Sequence, residues 1–344
     1  MPSPQVDISP TTPQPALTLV PTLASARTID LCAGPAGWEE GVRILGGAAL
    51  LDELAILGIE LNADACATAR AAGHHRLQAS ITDMDPTQAL AATGLIVSTP
   101  CPTLSSSGKR TGLGEDYGRA LDAITCFGAG CGCEYATLTS RVVDPRTALV
   151  VEAARWALTM PRIEWMACEQ VPSVEYLWED LAAELYAAGW EWVDVLTFDA
   201  LQHGTAARRR RSYLIARRYV PGTVQSPDLG VPLPPRTMAG ALGWGPGEYV
   251  ITRGNRRPTG GNAFSADGPS WCLTGKARTW QRRSDGLRLS AQEAGVLNGF
   301  PVDYPWTGSR TAQFQQAGDV VCPPAWAAVL GAALGVDWCA PVSA

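Results

Sequence analysis

The chain has 344 residues, 46% of them apolar and 17% charged, an ordinary globular composition with length for one large domain and a smaller one. No apolar run reaches 18 residues, and no Lys or Arg precedes a hydrophobic block in the first 26, so neither a membrane span nor a secretory leader is expected. The net charge of −6 argues against nucleic acid only if charge is spread evenly, and it is not: residues 206–290 carry 15 of the 27 Lys and Arg against four acids.

Such a segment reads as a surface facing a polyanion or as a solvated basic face. The ten cysteines are scattered, several inside apolar runs, which predicts reduced thiols and a cytoplasmic setting.

Residues 1–26 are rich in Pro, Thr and Ser without periodicity and predict a tail without fixed structure. Residues 27–217 alternate strand, turn and helix, the pattern of an α/β domain with a parallel sheet and crossover helices. Strands are predicted at residues 28–32, 54–60, 94–98, 164–168, 190–198 and 211–217. Helices are predicted at 63–72, at 145–159 behind an Asp144-Pro145 cap, and at 174–188 before Gly189. Residues 218–286 turn Pro- and Gly-rich with isolated aromatics, predicting a second domain of short strands and long loops. Helical periodicity returns at 290–297 and 325–334, so residues 287–344 are expected to rejoin the first domain.

Several of these strands end in residues that can do chemistry. The first runs into a turn at Gly34 and Gly37, where the backbone can approach a ligand and a helix N-terminus can face it. Glu60 ends the second strand, where a carboxylate can take both hydroxyls of a ribose. Another buried strand ends at Pro100-Cys101-Pro102, so prolines hold a thiol at the carboxyl end of the sheet, followed by a Ser/Gly loop with Lys109 and Arg110. Glu169 directly follows a further strand, which would bring its carboxylate to the same rim as Cys101. In the run Arg208 to Arg211, alternation puts Arg209 and Arg211 on one face, Arg208 and Arg210 on the other. Cys126, Cys131 and Cys133 have irregular spacing and no nearby fourth ligand, and no metal is expected.

In this order the residues resemble the cytosine-C5 DNA methyltransferases, over nearly everything from Thr28 to Leu334. The run DLCAGPAG from Asp30 to Gly37 is similar to that family's cofactor turn, and Glu60 to its ribose-binding acid. Pro100-Cys101 is similar to its catalytic dipeptide, Glu169-Gln-Val to E-N-V, and Arg209-x-Arg211 to the end of Q-x-R-x-R. Glu293 with Leu297-Asn-Gly-Phe-Pro301 is similar to E-x-x-x-L-Q-G-F-P, and QAGDVVCPP from Gln316 to Q-I-G-N-A-V-P-P-P. The chain departs from the pattern at Cys32 (an aromatic in the family), Ala36 (Gly), Ser80 (an acid, with Asp83 and Asp85 nearby), Pro102 (Gln), Gln170 (Asn), Ala207 (Gln) and Asp319 (Asn).

The resemblance implies a Rossmann-like S-adenosylmethionine-dependent methyltransferase sheet with helices on both faces, plus a small loop-rich target recognition domain. Asp30, Cys32, Gly34, Gly37, Glu60, Leu61, Ile81, Asp319 and Val320 would hold the cofactor. Cys101, set by Pro100, would add to C6 of cytosine, Glu169 would hold N3, and Arg211, with Arg209 beside it, would hold O2. The cytosine must leave the duplex, with Ser105, Lys109 and Arg110 closing on it. The recognition segment would use Arg253, Arg256, Arg257, Lys276, Arg278, Arg282 and Arg283 on phosphates or bases, with Trp271 and Trp280 filling a groove or packing a small core. The implied partner is double-stranded DNA, with a possible cognate restriction enzyme; the chain itself is expected to be a monomer. An RNA cytosine methyltransferase and a non-catalytic DNA-binding homologue are the alternative readings.

Overall fold

The structure, a computed structural model, describes residues 20–100, 115–130, 135–219, 229–230, 232–252 and 262–336. Residues 20–26, expected within an unstructured tail, include a turn in which the Thr22 carbonyl accepts from Ser25 and Ala26, and Ala26 is fully buried.

The large sheet begins with β1 (Thr28–Leu31), buried along its whole length, followed by the helix α1 (Gly37–Leu54), which kinks at Gly46–Gly47. Next come β2 (Ile56–Glu60), α2 (Ala63–Ala71), β3 (Arg76–Gln78) and β4 (Gly94–Val97). Helices α3 (Glu115–Gly128), α4 (Tyr135–Thr139), α5 (Pro145–Ala148) and α6 (Glu152–Thr159) lead to β5 (Trp165–Gln170), α7 (Glu175–Ala187), β6 (Trp192–Asp199) and β7 (Arg210–Arg217).

The strand order is β3-β2-β1-β4-β5-β7-β6. The strands from β3 to β5 are parallel to their neighbours, as the sequence pattern predicts, whereas β7 runs antiparallel to both β5 and β6. The link from β6 to β7 holds only a short 3-10 turn, too little for a crossover helix, so the chain reverses and inserts its last strand.

Both faces of the sheet are covered. Ile29, Leu31, Leu95, Val97, Met166 and Leu214 pack against α3, α6 and α7, while Ile96, Trp165, Ala167, Tyr213 and Ile215 pack against α1 and α11 (below). Burial on both sides explains why these strands read as unbroken apolar runs.

A second core gathers around α8 (Met238–Leu242) and a three-stranded antiparallel sheet of β8 (Tyr249–Ile251), β9 (Ala263–Ser265) and β10 (Gln281–Arg282), in the order β10-β8-β9. It includes Val250, Phe264 and Trp280, joined by residues of α9 (Ala291–Leu297) and α10 (Arg310–Asp319). The final helix α11 (Pro323–Leu334) returns to the large sheet, with Trp326 at its centre. Among the described residues no single helix is long and apolar enough to cross a membrane. Cys32, Cys66, Cys168, Cys272 and Cys322 are free thiols, but Cys126 is in a disulfide, against the expectation that every thiol is reduced.

Candidate active site

The turn after β1 is held in an unusual backbone shape. Cys32 (φ 57°), Gly34 (φ 53°) and Ala36 (φ 81°) all adopt left-handed conformations, which a side-chain Cβ disfavours at two of the three. Glu60, at the end of β2, braces the turn: one carboxylate oxygen accepts from the Gly34 N–H at 2.9 Å, the other from Asn62 N–H at 2.7 Å. A carboxylate has four lone-pair sites, so Glu60 keeps capacity for further donors. Beside it Leu61 is 68% exposed. A Cβ built on Gly34 would meet nothing within 4 Å, whereas one on Gly37 would lie 2.5 Å from the Val321 carbonyl oxygen. Gly34 therefore faces open space and Gly37 lets the segment before α11 pack onto the start of α1.

Of the other expected cofactor residues, Cys32 is half-buried at the turn, and burial pushes its thiol pKa well up. Ile81 is buried, and its carbonyl accepts from Arg155 at 2.8 Å. Val320 is buried as well. The Asp319 carboxylate is exposed and accepts from Gln315. Asp30 departs from its expected place: it is fully buried beneath the turn, with neither carboxylate oxygen hydrogen-bonded among the described residues. Burial, and then the neighbouring Glu39 charge, raise its pKa well above the ordinary carboxylate value.

A second cluster forms at the carboxyl ends of β4 and β5. Val97 and Cys168 are register partners, so the chain leaving β4 runs alongside Glu169 and Gln170. The Gln170 side chain donates to the Thr99 carbonyl at 2.5 Å and accepts from Val171 N–H at 2.7 Å. Trp38 donates its indole N–H to Ser98 Oγ. Both contacts fasten the approach to Pro100, which is exposed; Cys101, Ser105, Lys109 and Arg110 lie outside the described residues.

Arg211 Nε stands 2.9 Å from Glu169 Oε1, with both side chains largely buried. Arg209 shares that face but does a different job: its guanidinium donates to the Gly318 and Asp319 carbonyls at 2.8 and 2.9 Å, tying off the end of α10. Arg208 and Arg210 are exposed, as strand alternation predicts. Behind Arg209 and Arg211, burial pushes the Cys322 thiol up to about 12, too high for thiolate chemistry near neutrality.

The other motif residues are structural. Glu293 forms a reciprocal cap with Ser290 at the start of α9. Buried Asn298 donates to the Ala317 carbonyl at 2.7 Å, joining the α9 end to α10. Sequence reasoning missed Arg76, Tyr304 and Trp38 as supports of the two clusters, because each acts across long sequence separations on backbone or hydroxyl groups that no motif displays.

Of the basic residues expected to face nucleic acid, Lys276 is exposed and Arg283 is exposed, with its guanidinium 5.8 Å from the Tyr249 ring. Arg278 donates to the Gly275 carbonyl at 2.6 Å. Arg282 is paired with Asp285 and lies 5.3 Å from the Trp244 ring, which commits it beside the three-stranded sheet. Trp280 packs edge-on to Phe264 in the core, and Trp271 stacks on Phe264 but stays 40% exposed. Arg253, Arg256 and Arg257 lie outside the described residues.

No known protein family and no curated protein matches the chain by sequence. Solved structures do match it in fold. A prophage-encoded E. coli protein assigned as a DNA modification methyltransferase is 15% identical at a TM-score of 0.60, covering 91% of this chain and 99% of that one. The Dnmt2 methyltransferase of S. pombe is 14% identical at 0.63, covering 90% and 98%. The Entamoeba histolytica methyltransferase EhMeth is 11% identical at 0.58, also covering 90% and 98%. At such identities the likeness is one of fold: a seven-stranded sheet flanked by helices, matching Rossmann-like methyltransferase structures.

Proposed function

We propose that the chain transfers a methyl group from S-adenosylmethionine to C5 of a cytosine flipped out of double-stranded DNA. The observation that carries this reading is the meeting of Glu169 and Arg211 on the sheet rim, beside the Thr99 carbonyl that Gln170 holds two residues before Cys101. A non-catalytic DNA-binding protein has no need of a carboxylate and a guanidinium sequestered together at that rim.

The turn fits the cofactor. Gly34 opens onto free space, Glu60 retains acceptor capacity for two ribose hydroxyls, and exposed Leu61 offers an apolar surface for a purine. Gly34, Glu60, Leu61 and the 81–83 turn would hold S-adenosylmethionine, which supplies the electrophilic methyl group. Half-buried Cys32 contributes a smaller surface there than an aromatic ring would.

The chain's own residues prepare the base. C5 of cytosine is a weak nucleophile, so the Cys101 thiolate adds to C6 and pushes an electron pair toward C5; once C5 carries the methyl group, loss of its proton to a base expels the Cys101 thiolate and restores the ring. Glu169 holds the base at N3 and stabilises the charge that develops in the ring, while Arg211 donates to O2. Because Arg211 is already set against Glu169, the two groups are oriented before the base arrives, which reduces reorganisation during the reaction. The basic segment supplies phosphate contacts around the flipped base, through Lys276 and Arg283 among the described residues.

The test is nucleoside mass spectrometry on DNA from cells expressing the wild-type chain or Cys101→Ala. A deoxycytidine heavier by one methyl group, present only with the wild type, is expected. Modification that survives in Cys101→Ala would sink the mechanism, and modified cytidine found only in RNA would reassign the substrate.

A further inference from the structure

We propose that Arg76 is a positioning residue for the glycine turn, holding residues 32–37 in the shape that takes the cofactor and making up for the conformational freedom that Cys32 and Ala36 lack. The inference deepens the proposed function and rests on the cofactor reading made there.

The turn needs such a support. Left-handed backbone is natural for Gly34 but strained for a residue with a Cβ, and Cys32 and Ala36 both sit in that region. Strained backbone persists only where surrounding contacts over-determine it. Glu60 supplies one such contact by accepting from the Gly34 N–H, and Tyr304 another by donating its hydroxyl to the Pro35 carbonyl.

Arg76 supplies two more. From β3 at the sheet edge, its guanidinium reaches beneath the turn, with Nε donating to the Gly34 carbonyl at 3.1 Å and Nη2 to the Ala33 carbonyl at 3.2 Å. Nη1 pairs with buried Glu39 on α1 and donates to the His75 carbonyl at 2.9 Å. The peptide groups of Gly34 are thus gripped from both sides, N–H by Glu60 and carbonyl by Arg76.

The guanidinium has room there because β2 carries Gly58. A Cβ at Gly58 would collide with the Arg76 guanidinium and with the Ala33 methyl, so a glycine inside a strand leaves the passage the side chain occupies. Burial works against the Arg76 charge, but Glu39 outweighs it and keeps the guanidinium's pKa raised. Lysine would preserve the charge opposite Glu39, yet it has no planar fork to reach the Ala33 and Gly34 carbonyls together.

The experiment compares wild type, Arg76→Lys, Ala36→Gly and the double variant as full chains. Calorimetric titration with S-adenosylmethionine measures affinity, and amide hydrogen exchange of residues 32–37 is followed without ligand. Arg76→Lys is expected to weaken binding about tenfold, equivalent to about 1.4 kcal/mol, and to speed exchange in the turn. Adding Ala36→Gly is expected to restore most of the affinity, because glycine holds φ 81° without strain. A merely structural Arg76 would lower stability with no rescue at position 36, and that result would overturn the assignment. Should Arg76→Lys fail to fold, Arg76→Gln with Glu39→Gln removes the ion pair without stranding a buried charge and carries the same expectations. A wild type that binds no S-adenosylmethionine, with exchange still faster in Arg76→Lys, would refute the proposed function and leave the clamp standing. Equal exchange would refute the clamp itself.

Discussion

Glu169 on β5 and Arg211 on β7 face each other across an antiparallel strand pair, Oε1 to Nε 2.9 Å, at the rim where β4 also ends. The antiparallel insertion of β7 makes this possible. A parallel last strand would bring its own carboxyl end to that rim, whereas β7 brings its beginning, where the arginines are.

The pair can be tested by a near-isosteric change. Glu169→Gln keeps the shape and, through its amide oxygen, the contact with Arg211, but removes the proton that the carboxyl group would give to N3 of the base. Under the proposed mechanism kcat falls about 100-fold or more, in line with a lost general acid–base group, while the urea midpoint stays near the wild-type value. Single-turnover methylation of duplex DNA measures the first and chemical denaturation the second. Full activity in the variant would remove Glu169 from the chemistry.

Arg209 should separate from Arg211 by the same two measurements. It grips the Gly318 and Asp319 carbonyls, joining β7 to the end of α10. Arg209→Met strands two carbonyl oxygens, one buried and one part-buried, and is expected to cost about 2 kcal/mol, read as a lower urea midpoint at unchanged slope. A variant with wild-type stability and lost chemistry would instead mean that Arg209 reaches the substrate.

Asp30 carries a pH signature. Burial raises its folded pKa well above the 3.8 expected of an unfolded chain. Above pH 3.8 the unfolded chain releases this proton while the folded chain retains it, so stability from this group falls as pH rises, until the folded pKa is reached. Asp30→Asn cannot ionise and lacks that slope. Stability of wild type minus variant, from urea unfolding at several pH values, should therefore decline from pH 4 upward. A difference independent of pH would show that Asp30 ionises as easily folded as unfolded.

Much of the fold is legible in the sequence because its strands are buried on both faces and punctuated by glycine and proline. The strand ends carrying Glu60, Thr99 and Glu169 follow from those runs. What stays hidden has physical reasons. No element is predicted where helix α3 lies, yet Ala120, Ala123 and Ile124 fall on one face and bury against α6 and α7. The edge strand β3 is three residues long, too short for periodicity, and so Arg76 is not visible as a support. The antiparallel direction of β7 is set by a short connection rather than by any pattern within the strand. Asp30 matches a motif by type, but only its burial shows that it lies beneath the turn.

The region around the three-stranded sheet yields a prediction about which cations meet nucleic acid. Lys276 is exposed at the surface. Arg282 is already neutralised by Asp285 and lies over Trp244. Each phosphate contact contributes about −0.9 to the slope of log K against log salt on duplex DNA. Lys276→Ala should therefore flatten the slope by about that amount and weaken binding evenly across sequences. Arg282→Ala should leave the slope nearly unchanged, because releasing its guanidinium to a phosphate would first require breaking the Asp285 pair. Fluorescence anisotropy on a labelled duplex at several salt concentrations distinguishes the two. Equal flattening by both variants would mean that the Arg282–Asp285 pair opens on binding, and an unchanged slope in both would place the DNA on another face of the domain.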